Sequence, residues 1–318
     1  MATTNVPTKT ASLLASEELE FKEETPGAWT LAFRRLRKNR AAVISCGVII
    51  FLYLVAIFAS VIARYDPTAV HFGDIMVPPA FTAGGKWLYP LGTDTLGRDL
   101  LTRIIYGSRI SMSIGLVPVL LYLLIGGSVG LVSGYAGGFV DSLLMRIVDI
   151  FYALPDLLIL ITLVTFLRET ALGNLLSGMV VLLAALALFN WVGTARLVRG
   201  QVLAYKEMAF VEAARALGAS PRRIVLQHIV PHVLAPVIVQ MAFLVPGAII
   251  AESILSFIGI GIRPPTASWG NMIQDGYGAL ITQPAMALAP AAAIAIVTLS
   301  FTFFGDGLRD ALDPKMRV

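Results

Sequence analysis

Residues Phe33 to Ile62 read FRRLRKNRAAVISCGVIIFLYLVAIFASVI. Five basic side chains, Arg34, Arg35, Arg37, Lys38 and Arg40, run directly into the 22 residues from Ala41 to Ile62, none of which is charged. As an α-helix this run rises about 33 Å, enough to cross a ~30 Å hydrocarbon layer. A cleaved secretory signal has an apolar core of only ~7–15 residues, and this longer run follows 40 mostly polar residues. It therefore reads as an uncleaved membrane anchor with its basic flank inside.

The same test finds further spans. Ile114 to Val132, Leu175 to Val192, Val233 to Ala251 with a continuation to Ile262, and Ala285 to Phe304 are uncharged up to the residue before Glu252. A sixth run, IFYALPDLLILITLVTFL from Ile150 to Leu167, contains Pro155 and Asp156, so the spacing predicts a helix that begins near Val140 and bends at the proline. The expected fold is all-α, a polytopic membrane protein with six transmembrane helices.

Composition agrees. Of 318 residues 57% are hydrophobic and 14% charged, against roughly 25% charged in soluble domains. That excludes a disordered chain, a collagen and most cytosolic enzymes. The single cysteine, Cys46, allows no intrachain disulfide and no cysteine-based zinc site. A net charge of +4 would suit nucleic acid only if the basic residues clustered for it, and their placement favours a bilayer instead. With the N-terminus inside, the inner segments hold 17 Lys and Arg and the outer ones 7, which puts both termini in the cytoplasm. The expected organisation is a disordered cytoplasmic tail (1–30), a cytoplasmic segment with the first span (31–62), an extracytoplasmic loop (63–113) and a membrane core (114–318) interrupted by a cytoplasmic loop (196–231).

That cytoplasmic loop contains RLVRGQVLAYKEMAFVEAARALGASPRRIVLQ, Arg196 to Gln227. Lys206 to Leu217 has a helical pattern, Gly218 can end it in a left-handed conformation, and Ser220-Pro221 supplies an N-cap and first-turn proline for a second helix. The product is a helix–turn–helix hairpin. A hairpin lying on lipid headgroups has the same pattern, and Arg222 and Arg223 suit it.

Other patterns are weaker. Gly126-Gly127-Ser128-Val129-Gly130 fits the nucleophile elbow GxSxG, but it lies in an apolar helix with no histidine base in reach. Gly126, Gly130 and Gly134 instead recur every four residues as a small-residue packing face. His228 and His232 stand at i and i+4 without an evident third ligand, so no metal site is assigned. Around Gly84-Gly85-Lys86-Trp87 the other elements of a phosphate-binding loop are missing, so ATP handling falls to another chain and no cofactor is assigned. Asp149, Asp156 and Glu252, with the neutral Asn190, are candidates for the translocation path, since ionisable groups at membrane depth are costly and often functional. Interfacial placement is the other reading: Glu252 lies about 9 Å from the end of its apolar stretch, and Asp149 can pair with Arg146 at i−3.

Glu212-Ala213-Ala214, Gly218 and His228-Ile229-Val230-Pro231 resemble the EAA loop of binding-protein-dependent ABC importer permeases. His228 and Val230 depart from the Ile and Leu of the usual ending, while Pro231 is retained. Phe33 to Pro67, LGTDTLGRDLLTRIIYGSR in the outer loop, LSFIGIGIRPPTASWGNMI (Leu255 to Ile273) and GDGLRDALDPK (Gly305 to Lys315) look like the C-type oligopeptide and dipeptide permeases. The resemblance implies a type I importer permease of the bacterial inner membrane. It implies a homologous B-type permease partner, two ATPase subunits docking on Glu212, Ala213, Ala214, Gly218, Ser220, Pro221 and Pro231, and an extracytoplasmic solute-binding protein. The chain itself is then no enzyme and has no nucleic-acid partner. Short peptides are the expected cargo; nickel complexes, opines, glutathione or oligosaccharides are carried by similar permeases. An ion-coupled secondary transporter using Asp149, Asp156 and Glu252 is the rival, and it lacks the internal inverted repeat such proteins often carry.

Overall fold

The computed structural model describes residues Ala28 to Asp313, and all regular structure among them is helical apart from one isolated bridge between Thr93 and Asp99. The expected tail lies outside the described residues as far as residue 27. Its last three residues, Ala28 to Thr30, instead form the first turn of α1 (Ala28–Lys38).

Asn39 interrupts the chain after α1 and accepts a bond from the Ala42 amide at 3.2 Å, so its side chain caps α2 (Arg40–Ile57). A short α3 (Ala59–Ile62) completes the first crossing. The next long helix, α4 (Leu100–Ala136), starts 14 residues before the expected span at Ile114, within what the sequence reads as outer loop. The physical reason is that its charges are neutralised locally. Asp99 caps the helix through the Thr102 amide at 2.8 Å. Arg103 lies 3.6 Å from Asp94 and 3.4 Å from Asp275. Arg109 donates to the Ala56 and Ile57 carbonyls at 2.7 and 3.0 Å, tying α4 to the end of α2.

Gly137 and Gly138, with φ of 68° and 54°, turn the chain into α5 (Gly138–Tyr152). Pro155 then breaks the run more sharply than a bend: α5 and α6 (Asp156–Arg168) meet at 82°, since proline lacks the amide donor and its ring collides with the preceding turn. After α7 (Ala171–Asn174) and a tight turn, α8 (Met179–Tyr205) runs 13 residues past the expected end at Val192, carrying Arg196 and Arg199 within the helix. The hairpin follows as α9 (Ala209–Ala216) and α10 (Pro221–Arg223). Pro231 lies inside a continuous helical run. A π-helical turn over Ile224–Ile229 joins α10 without interruption to α11 (Val230–Phe257), a wider turn of the kind that relieves a proline inside a helix. α12 (Trp269–Tyr277) is an end helix, and α13 (Ala285–Leu312) returns.

Five of these helices are long and apolar enough to cross a membrane, and the broken α5/α6 pair brings the total to six. Their most apolar stretches are only 17–44% buried, so apolar surface faces outward as a bilayer requires. The most extensive pairing, α4 with α8, encloses the main core with α11. A second core of Val198, Val202, Val211, Ile224, Ile229, Val233 and Val237 sits under the hairpin. Both ends of the described chain lie at this hairpin end.

Residues 63–99 fold as a cap on the opposite end. Gln283, just before α13, donates to the Val77 and Thr93 carbonyls at 2.7 and 3.0 Å. Asp94 pairs with Arg98 at 2.6 Å. Asp74 bonds Lys86 and accepts from the Tyr89 hydroxyl at 3.0 Å, which holds its carboxyl below the usual value. Burial, then that same bond, pushes Tyr89 up to about 12.

Candidate functional site

The hairpin is built by ordinary helix-ending chemistry. The amides of Leu217, Gly218 and Ala219 bond the carbonyls of Ala213, Arg215 and Ala214 at 3.0 Å each, and Gly218 takes φ +79°. A side chain there would meet nothing within 4 Å, so the glycine answers a backbone demand and not a steric one. Ser220 occupies the cap position with extended backbone, but its hydroxyl makes no capping bond; its carbonyl accepts the Ile224 amide at 3.0 Å.

One side of the hairpin is anchored through the fully buried Val211, Ile224 and Ile229. The other side presents Glu212, Ala213, Gly218, Pro221 and Arg222 to the surroundings, with Leu217 89% exposed at the tip. The base is clamped. His232 stacks on Tyr205 and packs against Phe210, both at 5.2 Å between ring centres, and Lys206 donates to the Gly134 carbonyl at 3.2 Å. Arg199 grips Asp141 with two bonds of 2.6 and 2.7 Å, and Ser133 joins the same carboxylate.

This base continues into the α4–α8 contact. A Cβ on Gly126 would lie 2.3 Å from the Trp191 carbonyl oxygen, on Gly130 2.5 Å from that of Ala195, and on Gly134 2.8 Å from the Val202 Cβ. Ser128 lies outside that face and donates to the Leu124 carbonyl at 2.6 Å, as a serine does inside a helix.

The four polar residues singled out from sequence go to three places. Asp156 and Asn190 line one cavity of about 180 Å³, together with Tyr122 of α4, Leu160 of α6, and Leu244, Gly247 and Ala248 of α11. Tyr122 and Asn190 are hydrogen-bonded through their side chains. Asp149 is elsewhere: it pairs with Arg196 at 2.5 Å and not with Arg146, because Arg196 rests over the Tyr152 ring at 4.0 Å and faces α5. Glu252 neither lines the cavity nor sits at an interface. It is fully buried, with Ser256 donating at 2.7 Å and Ser253, Ser268 and Ser111 also bonded to it. Three of these serines in turn accept backbone amides, Ile262 and Trp269 at 3.2 Å and Asn271 at 3.3 Å. Glu252 thereby ties α4, α11 and the start of α12 together.

Sequence reading missed Asp141 and Tyr122. A usable signal existed for the first: Asp141 and Asp149 stand eight apart, on one helical face, and Arg196 and Arg199 three apart. Nothing local marks Tyr122, an aromatic within an apolar run.

Comparison with known proteins agrees with this architecture. Residues 126–318 match the family model "Binding-protein-dependent transport system inner membrane component", and residues 27–79 match "N-terminal TM domain of oligopeptide transport permease C". The oligopeptide transport system permease protein OppC of Bacillus subtilis is 38% identical over 307 residues, covering 96% of each chain. The dipeptide transport system permease protein DppC of the same organism is 39% identical, covering 90% of this chain and 85% of its own. OppC of Escherichia coli K12 is 39% identical, covering 95% of each. Among solved structures, a chain of the MetNI methionine ABC transporter in an inward facing conformation superimposes with a TM-score of 0.53 at 19% identity, covering 67% of this chain and 98% of that one. That likeness concerns the fold. Full-length kinship above 35% and the two matching segments place this chain in the family of binding-protein-dependent inner-membrane transport components, among its oligopeptide and dipeptide permeases of the C type.

Proposed function

We propose that this chain is one permease subunit of an ATP-driven importer of short peptides. It forms half of the pathway with a homologous B-type permease, receives cargo from an extracytoplasmic binding protein, and is driven by two ATPase subunits docked on the Glu212 to Pro231 hairpin. The relatives' cargo supports the peptide assignment. The single observation that carries the coupling role is the hairpin's two-sided character. Its exposed side offers Glu212, Leu217 and Arg222, while its buried side is continuous with α11 and clamped to α8 and α4. A push on the tip is thus delivered to the helices that line the cavity, as a rigid-body motion requires. The excess of Lys and Arg at the hairpin end supports a cytoplasmic hairpin with the 63–99 cap outside.

Affinity purification of the chain from its own host in mild detergent, followed by identification of bound chains and by peptide uptake in reconstituted vesicles, tests this. The expected result is co-purification of a second permease and ATPase subunits, with ATP-dependent uptake. Uptake by this chain alone, driven by an ion gradient, would refute it.

A further inference from the structure

We propose that Asp156 receives the α-ammonium group of a peptide passing through the cavity between α4, α6, α8 and α11. This rests on the reading of the chain as half of a peptide pathway and names the group that the pathway recognises.

The first observation is an asymmetry among the acidic groups of α5, α6 and α11. Asp141 pairs with Arg199, Asp149 with Arg196, and Glu252 is enclosed by serine hydroxyls. Asp156 accepts only the amide of its neighbour Leu157, at 2.8 Å, and among the described residues no basic group lies within ion-pairing distance. An ionised carboxylate at membrane depth is costly unless it faces water or a cation.

Position supplies the second. Asn190, across the cavity, is eleven residues into α8, about 16 Å along the helix and so near the middle of a ~30 Å layer. The cavity wall is otherwise apolar, with Tyr122 as its one other titratable side chain and Asn190 as a neutral donor and acceptor. At about 180 Å³ it is smaller than the ~300–1,000 Å³ of ordinary small-molecule sites. It therefore takes one end of a peptide and not its length.

Chemistry chooses the end. Short peptides of any sequence share an α-ammonium and an α-carboxylate. A cavity with a free carboxylate and no lining cation attracts the first and repels the second. Smooth walls of leucine, alanine and glycine leave the first side chain unread, so one fixed contact serves varied cargo.

The test uses the complete reconstituted complex, with binding protein preloaded and in excess so that delivery does not limit uptake. Trialanine and N-acetyl-trialanine are compared in the wild type, Asp156→Asn and Asp156→Glu. Asn keeps the bond to Leu157 and removes only the charge. The expected result is an uptake of trialanine about tenfold lower in Asp156→Asn, the scale of one lost charge-assisted bond, with acetylated peptide unaffected and Asp156→Glu restoring most of the difference. Where the acetylated peptide crosses too slowly to measure, the ratio of wild-type to Asp156→Asn uptake of trialanine is followed from pH 6.5 to 9. It should fall toward one as the α-amino group, with a pKa of ~7.7–8.0, loses its proton. An equal loss for both peptides, or a ratio independent of pH, would overturn the proposal and point to a cation on the partner permease. Absence of peptide uptake in the wild type would remove the importer reading itself, a separate and recognisable failure.

Discussion

Replacing Gly130 by alanine probes how closely α4 and α8 must approach for the bundle to hold its shape. The new Cβ would stand 2.5 Å from the Ala195 carbonyl oxygen, 2.8 Å from the Val198 Cβ and 3.0 Å from the Arg199 amide nitrogen. Two of these are backbone atoms, so no side chain can simply swing away, and the helices must part. Overpacking of this kind costs about 1–3 kcal/mol, while glycine-to-alanine in a helix returns about 1 kcal/mol in propensity. Gly127→Ala is the control. It gains the same propensity, and its Cβ would meet only the Leu123 Cδ1 at 3.6 Å, an ordinary contact. Propensity cancels between the two variants, leaving a predicted gap of about 1–3 kcal/mol, or roughly 2–4 °C in thermal midpoint per kcal/mol. Thermal unfolding of the purified protein in one detergent measures it. Arg199 lies at the contact and also holds Asp141, so Gly130→Ala should disturb the hairpin base as well. Equal midpoints, or a more stable Gly130→Ala, would show that the α4–α8 approach is not tight.

Gly218→Val should fold and insert, since nothing crowds the site. Its φ of +79° should nevertheless cost about 1–2 kcal/mol, displacing the hairpin and lowering uptake and ATPase stimulation; normal uptake would count against docking there. Cysteine labelling at Ala219 and at Thr82, in a background lacking Cys46, should mark Ala219 only from inside and Thr82 only from outside, and the reverse would invert the topology. The Asp74 carboxyl is held below its ordinary 3.8 by its bond from Lys86 first and from Tyr89 second. Its contribution is thus complete above that pH and disappears as pH falls through the lowered value. Protection factors over residues 71–97, the intrinsic exchange rate at each pH divided by the observed one, should hold at pH 5 and fall below about 4; the acid step should vanish in Asp74→Asn, and its persistence there would assign it to another group.

Much of the fold was legible because hydrophobic runs long enough to cross a bilayer have few other uses. The first span, the glycine that turns the hairpin and the proline break before Asp156 could all be read locally. What could not be read depended on partners distant in sequence. Leu100 to Ser113 carries two arginines and looks like loop until Asp94, Asp275 and the end of α2 neutralise them. Arg196 and Arg199 likewise end an apolar run on paper, yet α8 continues through them because α5 supplies Asp149 and Asp141. The π-helical turn before Pro231 follows from how a proline is absorbed once a helix continues on both sides, which spacing alone does not decide. Of the polar candidates, sequence separated none from the others. Burial, pairing with arginine and access to the cavity sorted Glu252, Asp149 and the pair Asp156 and Asn190 only after the helices were placed.

A hairpin that couples this chain to ATP hydrolysis must meet an ATPase subunit with its exposed side. Leu217→Cys, at the most exposed position of the turn, in a chain lacking Cys46 and assembled in its own host's membranes, can be alkylated with a benzophenone maleimide, photo-cross-linked, and the products identified by mass spectrometry. The expected product is a cross-link from residue 217 to an ATPase subunit, changing in yield when ATP binds. A residue 217 that is modified freely in the assembled complex, from either side of the membrane and without cross-linking to any ATPase chain, would contradict it.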